Sequence, residues 1–306
     1  MDHKRIVVFH HNDNDGKAAA AVIYRWFLDH GVEIKDFISV NYNDSIPTAD
    51  RIQEGDNVYI VDYSFTEDTA TNLIQISKKA GSLRWYDHHK TSLDIYDVIK
   101  KSGICYDCIV DMDRSGALIV YDVLKDRGCW KDGSKVDTYK SSMKPIIDLV
   151  DDYDRWVHSN PNSMLFNIGS QMQDTSPTSD IWISDPEKII ENGKLLKEYN
   201  TKKNNQLTKS NGFGIKINGH MCIVLNTPES SSQVFADYFK ATGFGIRFVF
   251  DGRNFSYSIY STLQDIDCSK IAQHFNPKGG GHKGAAGFVS DKLEFFADTD
   301  YNIEMI

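Results

Sequence analysis

The chain has 306 residues, with 34 Lys and Arg residues against 43 Asp and Glu residues, and a formal net charge of −9. The acidic balance argues against sequence-independent binding of long duplex DNA, which needs a basic surface. No apolar run approaches the ~20 residues of a membrane span, and the first residues do not form the apolar core of a secretory signal. The length exceeds the usual single-domain range, so two domains are expected.

The first half of the chain alternates strand and helix patterns. A β-branched strand is predicted over 5–10, then a polar loop over 11–16 and an Ala-rich helix over 17–30. The later predicted elements in this half are strands over 32–40, 57–61 and 83–86, and helices over 67–80, 114–127 and 140–150. This order predicts an α/β fold, in which a mostly parallel sheet has helices on both faces. Ligands of such sheets bind beyond the carboxyl ends of the strands.

The second half begins with a segment over 159–185 that is rich in Ser, Asn, Pro and Asp and has no clear period. A long polar helix is predicted over 186–209, which suits a helical linker between domains. From residue 212, strands over 214–217, 221–226, 245–250 and 255–260 and helices over 231–241 and 267–275 predict a smaller C-terminal α/β domain. The expected division is a metal-binding domain over 1–158, a linker over 159–211 and a second domain over 212–306.

The five cysteines do not form a pairwise framework. Cys105 and Cys108 make one C-x-x-C motif, but no second pair completes a zinc site. The remaining cysteines are Cys129, Cys222 and Cys268. Reduced thiols and a cytoplasmic location are therefore expected.

Acidic and imidazole side chains follow three of the predicted strands. The loop after the first strand reads His-Asn-Asp-Asn-Asp-Gly over 11–16, and its alternate positions can face one point. Asp62 ends the third strand, and Asp-His-His follows the fourth at 87–89. A single Asp in such a place is commonly a helix cap or turn residue. Together they predict a site for manganese, or for magnesium where oxygens dominate, and their number suits the two-ion devices that act at phosphorus.

The order of these motifs resembles the DHH phosphoesterase superfamily. Its successive motifs are similar to H-x-D-x-D at 11–15, the isolated Asp62 and D-H-H at 87–89, and a fourth motif is similar to residues 152–156. The Gly-Gly-Gly-His run at 279–282 is similar to the signature of the C-terminal domain associated with that superfamily. The resemblance covers nearly the whole chain and implies the same two-domain fold.

The resemblance implies two Mn²⁺ ions as cofactors, with Mg²⁺ or Co²⁺ as alternatives. It assigns His11, Asp13 and Asp62 to the first ion, and Asp15, Asp62, His88 and Asp152 to the second. Asp151 is the alternative to Asp152. The catalytic assignments are His89, which would contact the scissile phosphate or support His88, and Asp87, which would orient a histidine. The implied substrate-binding residues are Gly280, Gly281, His282 and Lys283, in a loop whose continuation is expected to open a helix and to bind an anion.

The implied function is phosphodiester hydrolysis of short oligonucleotides or of linear or cyclic dinucleotides, with a metal-activated water as nucleophile. Tyr260 stands where oligoribonucleotide-degrading members carry an Arg, so the preferred end group of the substrate is left open. Two alternatives are a phosphomonoesterase that acts on 3′-phosphoadenosine 5′-phosphate and a nucleotide-binding protein without activity. No membrane partner is expected, and a homodimer is left open.

Overall fold

The structure is a computed structural model, which describes residues 5–42, 45–126, 136–229 and 231–303, with only the backbone described over 136–141. The chain divides into two compact units, residues 1–196 and 197–306. The segment predicted as a linker over 159–211 is shared between them. Its residues up to 196 fold with the first unit, and one long helix, Pro186–Asn211, crosses the boundary.

The first unit is built on a five-stranded parallel sheet. Its strands are β1 (Ile6–His11), β2 (Asp36–Val40), β3 (Asn57–Val61), β4 (Ser82–Asp87) and β5 (Asp107–Val110). Their order in the sheet is β2-β1-β3-β4-β5. The chain therefore runs outward from β1 in both directions, and the crevice at the carboxyl ends of β1 and β3 is where such sheets bind ligands.

Helices cover both faces of this sheet. The helices of the first unit are α1 (Asn14–Asp29), α2 (Ala70–Lys79), α3 (Leu93–Ser102), α4 (Gly116–Asp126), α5 (Val136–Asp154) and α6 (Pro161–Ser170), followed by the start of α7 (Pro186–Asn211).

Alternation along the strands explains the two layers of helices. Val8 of β1 packs with the Ala-rich α1 and with α4 and α5 on one face. Its neighbours Val7 and Phe9 point to the other face, where Leu73 of α2 and Ile95 of α3 complete a second core. Both faces are apolar because a parallel strand is covered on both sides. These observations confirm the predicted α/β class.

The second unit contains a seven-stranded mixed sheet. Its strands are β6 (Gly212–Ile217), β7 (His220–Asn226), β8 (Phe244–Phe250), β9 (Phe255–Ser261), β10 (Gly280–His282), β11 (Ala285–Ser290) and β12 (Asp300–Tyr301), in the order β10-β11-β9-β8-β7-β6-β12. Its helices are the end of α7, α8 (Ala236–Thr242) and α9 (Cys268–Phe275). Stacked rings fill its core: Phe288 lies 4.5 Å from Tyr257 and 5.3 Å from Phe275, centroid to centroid.

Several elements were not predicted from the sequence. These are α3, β5, α6 and the short strands β10 and β12. The segment after the Gly-rich run was expected to open a helix, and the structure places β11 there instead, paired antiparallel with β10. The predicted helix over 231–241 is a 3₁₀ turn, Ser232–Phe235, followed by α8.

Among the residues that the structure describes, none of the helices has the length and apolar character that a membrane crossing requires. Cys105, Cys108, Cys222 and Cys268 are free thiols. Cys129 lies outside the described residues.

Candidate metal centre

The loop after β1 brings two candidate ligands together at the start of α1. Asp13 is the N-cap of the helix, and its Oδ1 accepts a hydrogen bond from the Gly16 amide at 2.9 Å. Its Oδ2 accepts from Nδ1 of His11 at 2.7 Å. The Asp13 carboxylate therefore has two roles. One of its oxygens caps the helix, as is usual for an N-cap residue, and the other orients the imidazole of His11.

Asp62 lies at the end of β3 and at the middle of the cluster. Its φ of +53° turns the chain into the left-handed region, which Asp tolerates better than most residues. Its side chain is 1% exposed, and neither carboxylate oxygen has a hydrogen-bond partner among the described residues. Oδ2 lies 3.7 Å from His11 Nδ1, and Oδ1 lies 3.2 Å from His88 Nε2. The two oxygens of one buried acid therefore face two different histidines.

Asp15 is held by the N-terminus of α4. Its carboxylate accepts hydrogen bonds from the amides of Gly116 at 2.7 Å and Ala117 at 2.9 Å. A helix N-terminus offers free amides and a positive dipole end, so it stabilises a buried acid. Asp15 Oδ2 lies 3.7 Å from Nε2 of His88, so the same acid also faces the cluster.

The triplet after β4 consists of Asp87, which positions a histidine, and the two histidines His88 and His89. Asp87 is fully buried, accepts a hydrogen bond from Nδ1 of His89 at 2.7 Å, and also accepts one from the Ser92 hydroxyl. His88 points its Nε2 towards Asp15 and Asp62. The contact from Asp87 fixes the ring of His89 and leaves its Nε2 free to meet another group, as expected of a carboxylate behind an imidazole.

The last acid of the cluster is Asp154, whereas the family resemblance implied Asp152. Asp154, at the end of α5, places its Oδ2 3.2 Å from His88 Nε2. The Asp152 carboxylate faces away and accepts hydrogen bonds from the amides of Ser159, at 2.8 Å, and Asn160, at 3.2 Å. Asp152 therefore caps the turn that follows the helix.

Asp151, the alternative choice, is also engaged elsewhere. Its carboxylate accepts from the Ser115 amide at 2.7 Å and lies 3.3 Å from Nη1 of Arg155. Helical spacing provides a signal for Asp154 once the extent of α5 is known. Asp154 follows the buried Val150 by four residues and Ile147 by seven, so it lies on the apolar face of α5, which turns towards the sheet.

Within the described ranges of the chain, three overlapping groups of side chains could hold metal ions. Within each group the ligand atoms lie within 4.8 Å of one another: His11 with Asp13 and Asp62; Asp15 with His88 and Asp154; Asp62 with His88 and His89. The structure thus brings together five of the six predicted ligands, with Asp62 common to two groups. Imidazole and carboxylate donors are a set that manganese and related divalent ions accept.

The electrostatics of the cluster favour a cation. Burial, together with the charges of Asp13 and Asp15, raises the pKa of Asp62 well above its ordinary value. Burial and the charge of Asp15 also raise the pKa of Asp154, to about 7. The hydrogen bond to Asp13 and the nearby charge of Asp62 raise the pKa of His11 to about 10. Several buried acids share few positive partners, so a divalent ion fits the site and would compete with the protons held there.

Tyr42 forms part of the surroundings of the site and was not singled out in the sequence. Its ring stacks on Tyr63 with centroids 4.9 Å apart and lies 5.4 Å from the ring of His11. Its hydroxyl accepts a hydrogen bond from the Ser64 amide at 3.2 Å. The aromatic pair packs beside the histidines and limits how their rings can turn.

Gly116 brings the start of α4 against the two central acids. A Cβ at this position would lie 2.8 Å from Cβ of Asp62 and 3.0 Å from Oδ2 of Asp15. We expect Gly116→Ala to move these carboxylates apart, to cost about 1–3 kcal/mol of unfolding free energy, and to weaken divalent-metal binding. Thermal melts with and without Mn²⁺ would measure both effects. A variant that is stabilised by Mn²⁺ as much as the unaltered protein would contradict this expectation.

The predicted substrate-binding residues lie in the second unit. Gly280, Gly281 and His282 form β10 and pair with β11, and His282 and Lys283 are exposed at the turn between these strands. The Lys283 carbonyl accepts a hydrogen bond from the Cys268 amide at the start of α9. An imidazole and an ammonium group are therefore presented to solvent from a hairpin at the edge of the sheet.

No family model matches the sequence, and no curated protein matches it. Solved structures do match the fold. An exopolyphosphatase-related protein from Bacteroides fragilis is 16% identical, with 96% of this chain and 87% of that chain covered and a TM-score of 0.54. The pGpG-specific phosphodiesterase PggH from Vibrio cholerae is 12% identical, with 94% of each chain covered and a TM-score of 0.53.

The name of a third matched structure includes the term DHH domain. That structure is the DHH domain of a member of a family of ribosomal proteins, and it is 15% identical, with 94% of this chain and 82% of that chain covered and a TM-score of 0.50. At these identities the likeness concerns the fold. Together with the parallel sheet and its converging Asp and His residues, it shows that this chain has the fold of the DHH-domain proteins, as its sequence motifs predicted.

Proposed function

We propose that the protein is a divalent-metal-dependent phosphodiesterase that hydrolyses short oligonucleotides or linear or cyclic dinucleotides. The observation that carries the proposal is the position of Asp62, whose two buried oxygens have no hydrogen-bond partner in the part of the chain that the structure describes and face His11 on one side and His88 on the other. A buried carboxylate without partners is costly, so a protein that retains one commonly uses it to bind a cation.

Manganese is the proposed metal because the donors combine imidazole nitrogens with carboxylate oxygens. The proposed ligands are His11, Asp13 and Asp62 for one ion, and Asp15, Asp62, His88 and Asp154 for the other. When bound, the ions would supply a Lewis acid for the phosphate and acidify a water molecule. Mg²⁺ and Co²⁺ are the alternatives.

The chain's own residues then position the substrate. The Asp87 carboxylate fixes His89 through Nδ1, so Nε2 of His89 is the atom that would donate a hydrogen bond to a phosphate oxygen. Burial lowers the pKa of His89, but the hydrogen bond to Asp87 and the charges of Asp87 and Asp154 together outweigh it, so the pKa is raised overall. The imidazole is therefore held more readily in its protonated, donating form. His282 and Lys283 are proposed to contact an anionic end of the substrate.

A short substrate agrees with the charge of the chain. The net charge of −9 opposes binding of a long polyanion, whereas one or two phosphates need only the local positive charge of the metal site. The names of the matched structures also support a phosphoester substrate, since one is called a pGpG-specific phosphodiesterase and another exopolyphosphatase-related.

A panel of defined substrates would test the proposal. We expect the Mn²⁺-loaded protein to hydrolyse linear and cyclic dinucleotides and oligonucleotides of a few residues, to act more slowly on long ones, and to lose activity in chelator until Mn²⁺ is restored. The panel includes 3′-phosphoadenosine 5′-phosphate and inorganic polyphosphate, with products separated by chromatography. Full activity in chelator, or release of phosphate alone from monoesters, would contradict the proposal.

A further inference from the structure

A polar groove lies next to the candidate metal centre, entirely within the first unit. It has a volume of about 440 Å³ and includes the candidate ligand Asp13 in its wall. The remaining lining comes from the loop before α1, from α1 itself, and from α6 with the turn that follows it. The carboxamide residues of the lining are Asn12, Asn14, Asn167, Gln171 and Gln173.

Carboxamide side chains make up most of the lining. Five of its side chains are carboxamides, and its two charged groups are Asp13 and Lys17. A carboxamide offers a donor and an acceptor together, which is the pattern on the edge of a nucleobase and on ribose hydroxyls. In sequence-specific recognition of single-stranded RNA, unstacked bases are hydrogen-bonded on these same edges.

The floor of the groove is fixed before any ligand arrives. The side-chain amide nitrogen of Asn14, Nδ2, donates hydrogen bonds to Oδ1 of Asn167 and to the hydroxyl of Ser170, both at 2.8 Å. These bonds tie the first turn of α1, which carries the candidate ligand Asp15, to the end of α6. A site fixed in this way loses little conformational entropy on binding.

The rim of the groove is free to bind. Gln171 and Gln173 are exposed, and their side-chain amides make no hydrogen bond within the part of the chain that the structure describes. Their backbone is nevertheless held, since the amide of Gln171 donates to Ile168 and that of Gln173 donates to Ser170. Lys17, three residues after Asn14 on α1, also lines this groove and brings a positively charged side chain to it.

We propose that this groove binds the nucleoside next to the scissile phosphate, with the carboxamides on its base or ribose and Lys17 on a flanking phosphate. Asp13 connects the two places, because it belongs both to the groove and to the candidate metal cluster. This inference rests on the proposed function and adds to it: the first unit by itself distinguishes a nucleotide from other phosphodiesters.

The test compares two substrates on one double variant, Gln171→Ala/Gln173→Ala. The substrates are a linear diadenylate, which has bases, and bis(4-nitrophenyl) phosphate, which has none. Two lost hydrogen bonds of ordinary strength should lower the ratio of kcat/KM for diadenylate to kcat/KM for the nitrophenyl ester roughly tenfold. Gln75→Ala, which removes an exposed glutamine from α2, is the matched control and should leave the ratio unchanged.

Equilibrium dialysis of radiolabelled diadenylate in chelator separates this inference from the function. An active enzyme whose ratio is the same in the double variant and the control would overturn the groove and leave the phosphodiesterase standing. If the unaltered protein hydrolyses neither substrate, the proposed function fails. Dialysis alone then decides: a roughly tenfold weaker affinity in the double variant supports nucleoside binding, and an equal affinity overturns it.

Discussion

Replacing Asp62 by asparagine should abolish hydrolysis and at the same time stabilise the metal-free protein. The loss of one carboxylate shared by both ligand groups should lower kcat roughly a thousandfold, which corresponds to about 4 kcal/mol of activation free energy. Asp62 is a buried acid with a strongly raised pKa, and it has no hydrogen-bond partner among the residues that the structure describes. The neutral amide should therefore add about 1–2 kcal/mol to the free energy of unfolding in chelator.

Thermal melts and turnover assays on the same preparations would measure both effects. The unaltered protein should gain stability as Mn²⁺ is added, since a ligand of the folded state at a hundred times its Kd contributes about 2.7 kcal/mol. Asp62→Asn should gain little. Asp97→Asn removes an exposed acid from α3 and controls for the change in charge. Normal turnover in Asp62→Asn, or normal stabilisation of it by Mn²⁺, would refute the assignment of the metal centre.

Asparagine at position 154 should impair catalysis, whereas asparagine at position 152 should impair folding. Asp154 lies 3.2 Å from His88 in the cluster, so its loss should lower kcat/KM by roughly 10²–10³ while the fold persists. Asp152 caps the turn after α5, so its loss should cost about 1–2 kcal/mol of stability and leave activation by Mn²⁺ intact.

The pair forms its own control, because both changes remove one acid from the same helix end. Kinetics with a dinucleotide at saturating Mn²⁺ and urea unfolding in chelator would be measured for each variant. If Asp152→Asn lost activity and Asp154→Asn retained it, the choice made from the sequence motif would be correct, and the carboxylate contacts seen in the structure would not be those of the working site.

Much of the fold could be predicted from the chain itself. The strand over 57–61 matches β3 at both ends, because a β-branched run between polar residues admits few other structures. The elements that were not predicted are short, or they lie in segments whose residues have weak propensity for the structure that they adopt. Helix α6 begins at Pro161 within a segment rich in Ser and Asn, and it forms because Phe166 is buried in the core of the first unit. Tertiary packing there overrides weak local propensity.

The candidate site was predictable where its residues end strands. The carboxyl ends of parallel strands share one edge of the sheet, so His11, Asp62 and His88 could be placed together without coordinates. The fourth motif could not be placed in this way, because it lies on a helix. On a helix, a shift of two residues turns a side chain by about 200°, and the exact end of α5 was not evident from the sequence.

The order of residues along the chain was enough to indicate the chemistry of the site: it gave the acids and imidazoles, their positions after the strands, and the resemblance that suggested metal-dependent phosphoester hydrolysis. The folded chain was needed to show which of three neighbouring acids at the end of α5 faces the histidines, and that Gly116 approaches the two central carboxylates. It also joined α6 to the loop after β1, and so formed a groove from residues some 150 positions apart. Local patterns fix periodicity and residue type, but the direction of a side chain and the closeness of distant segments depend on how the whole core packs.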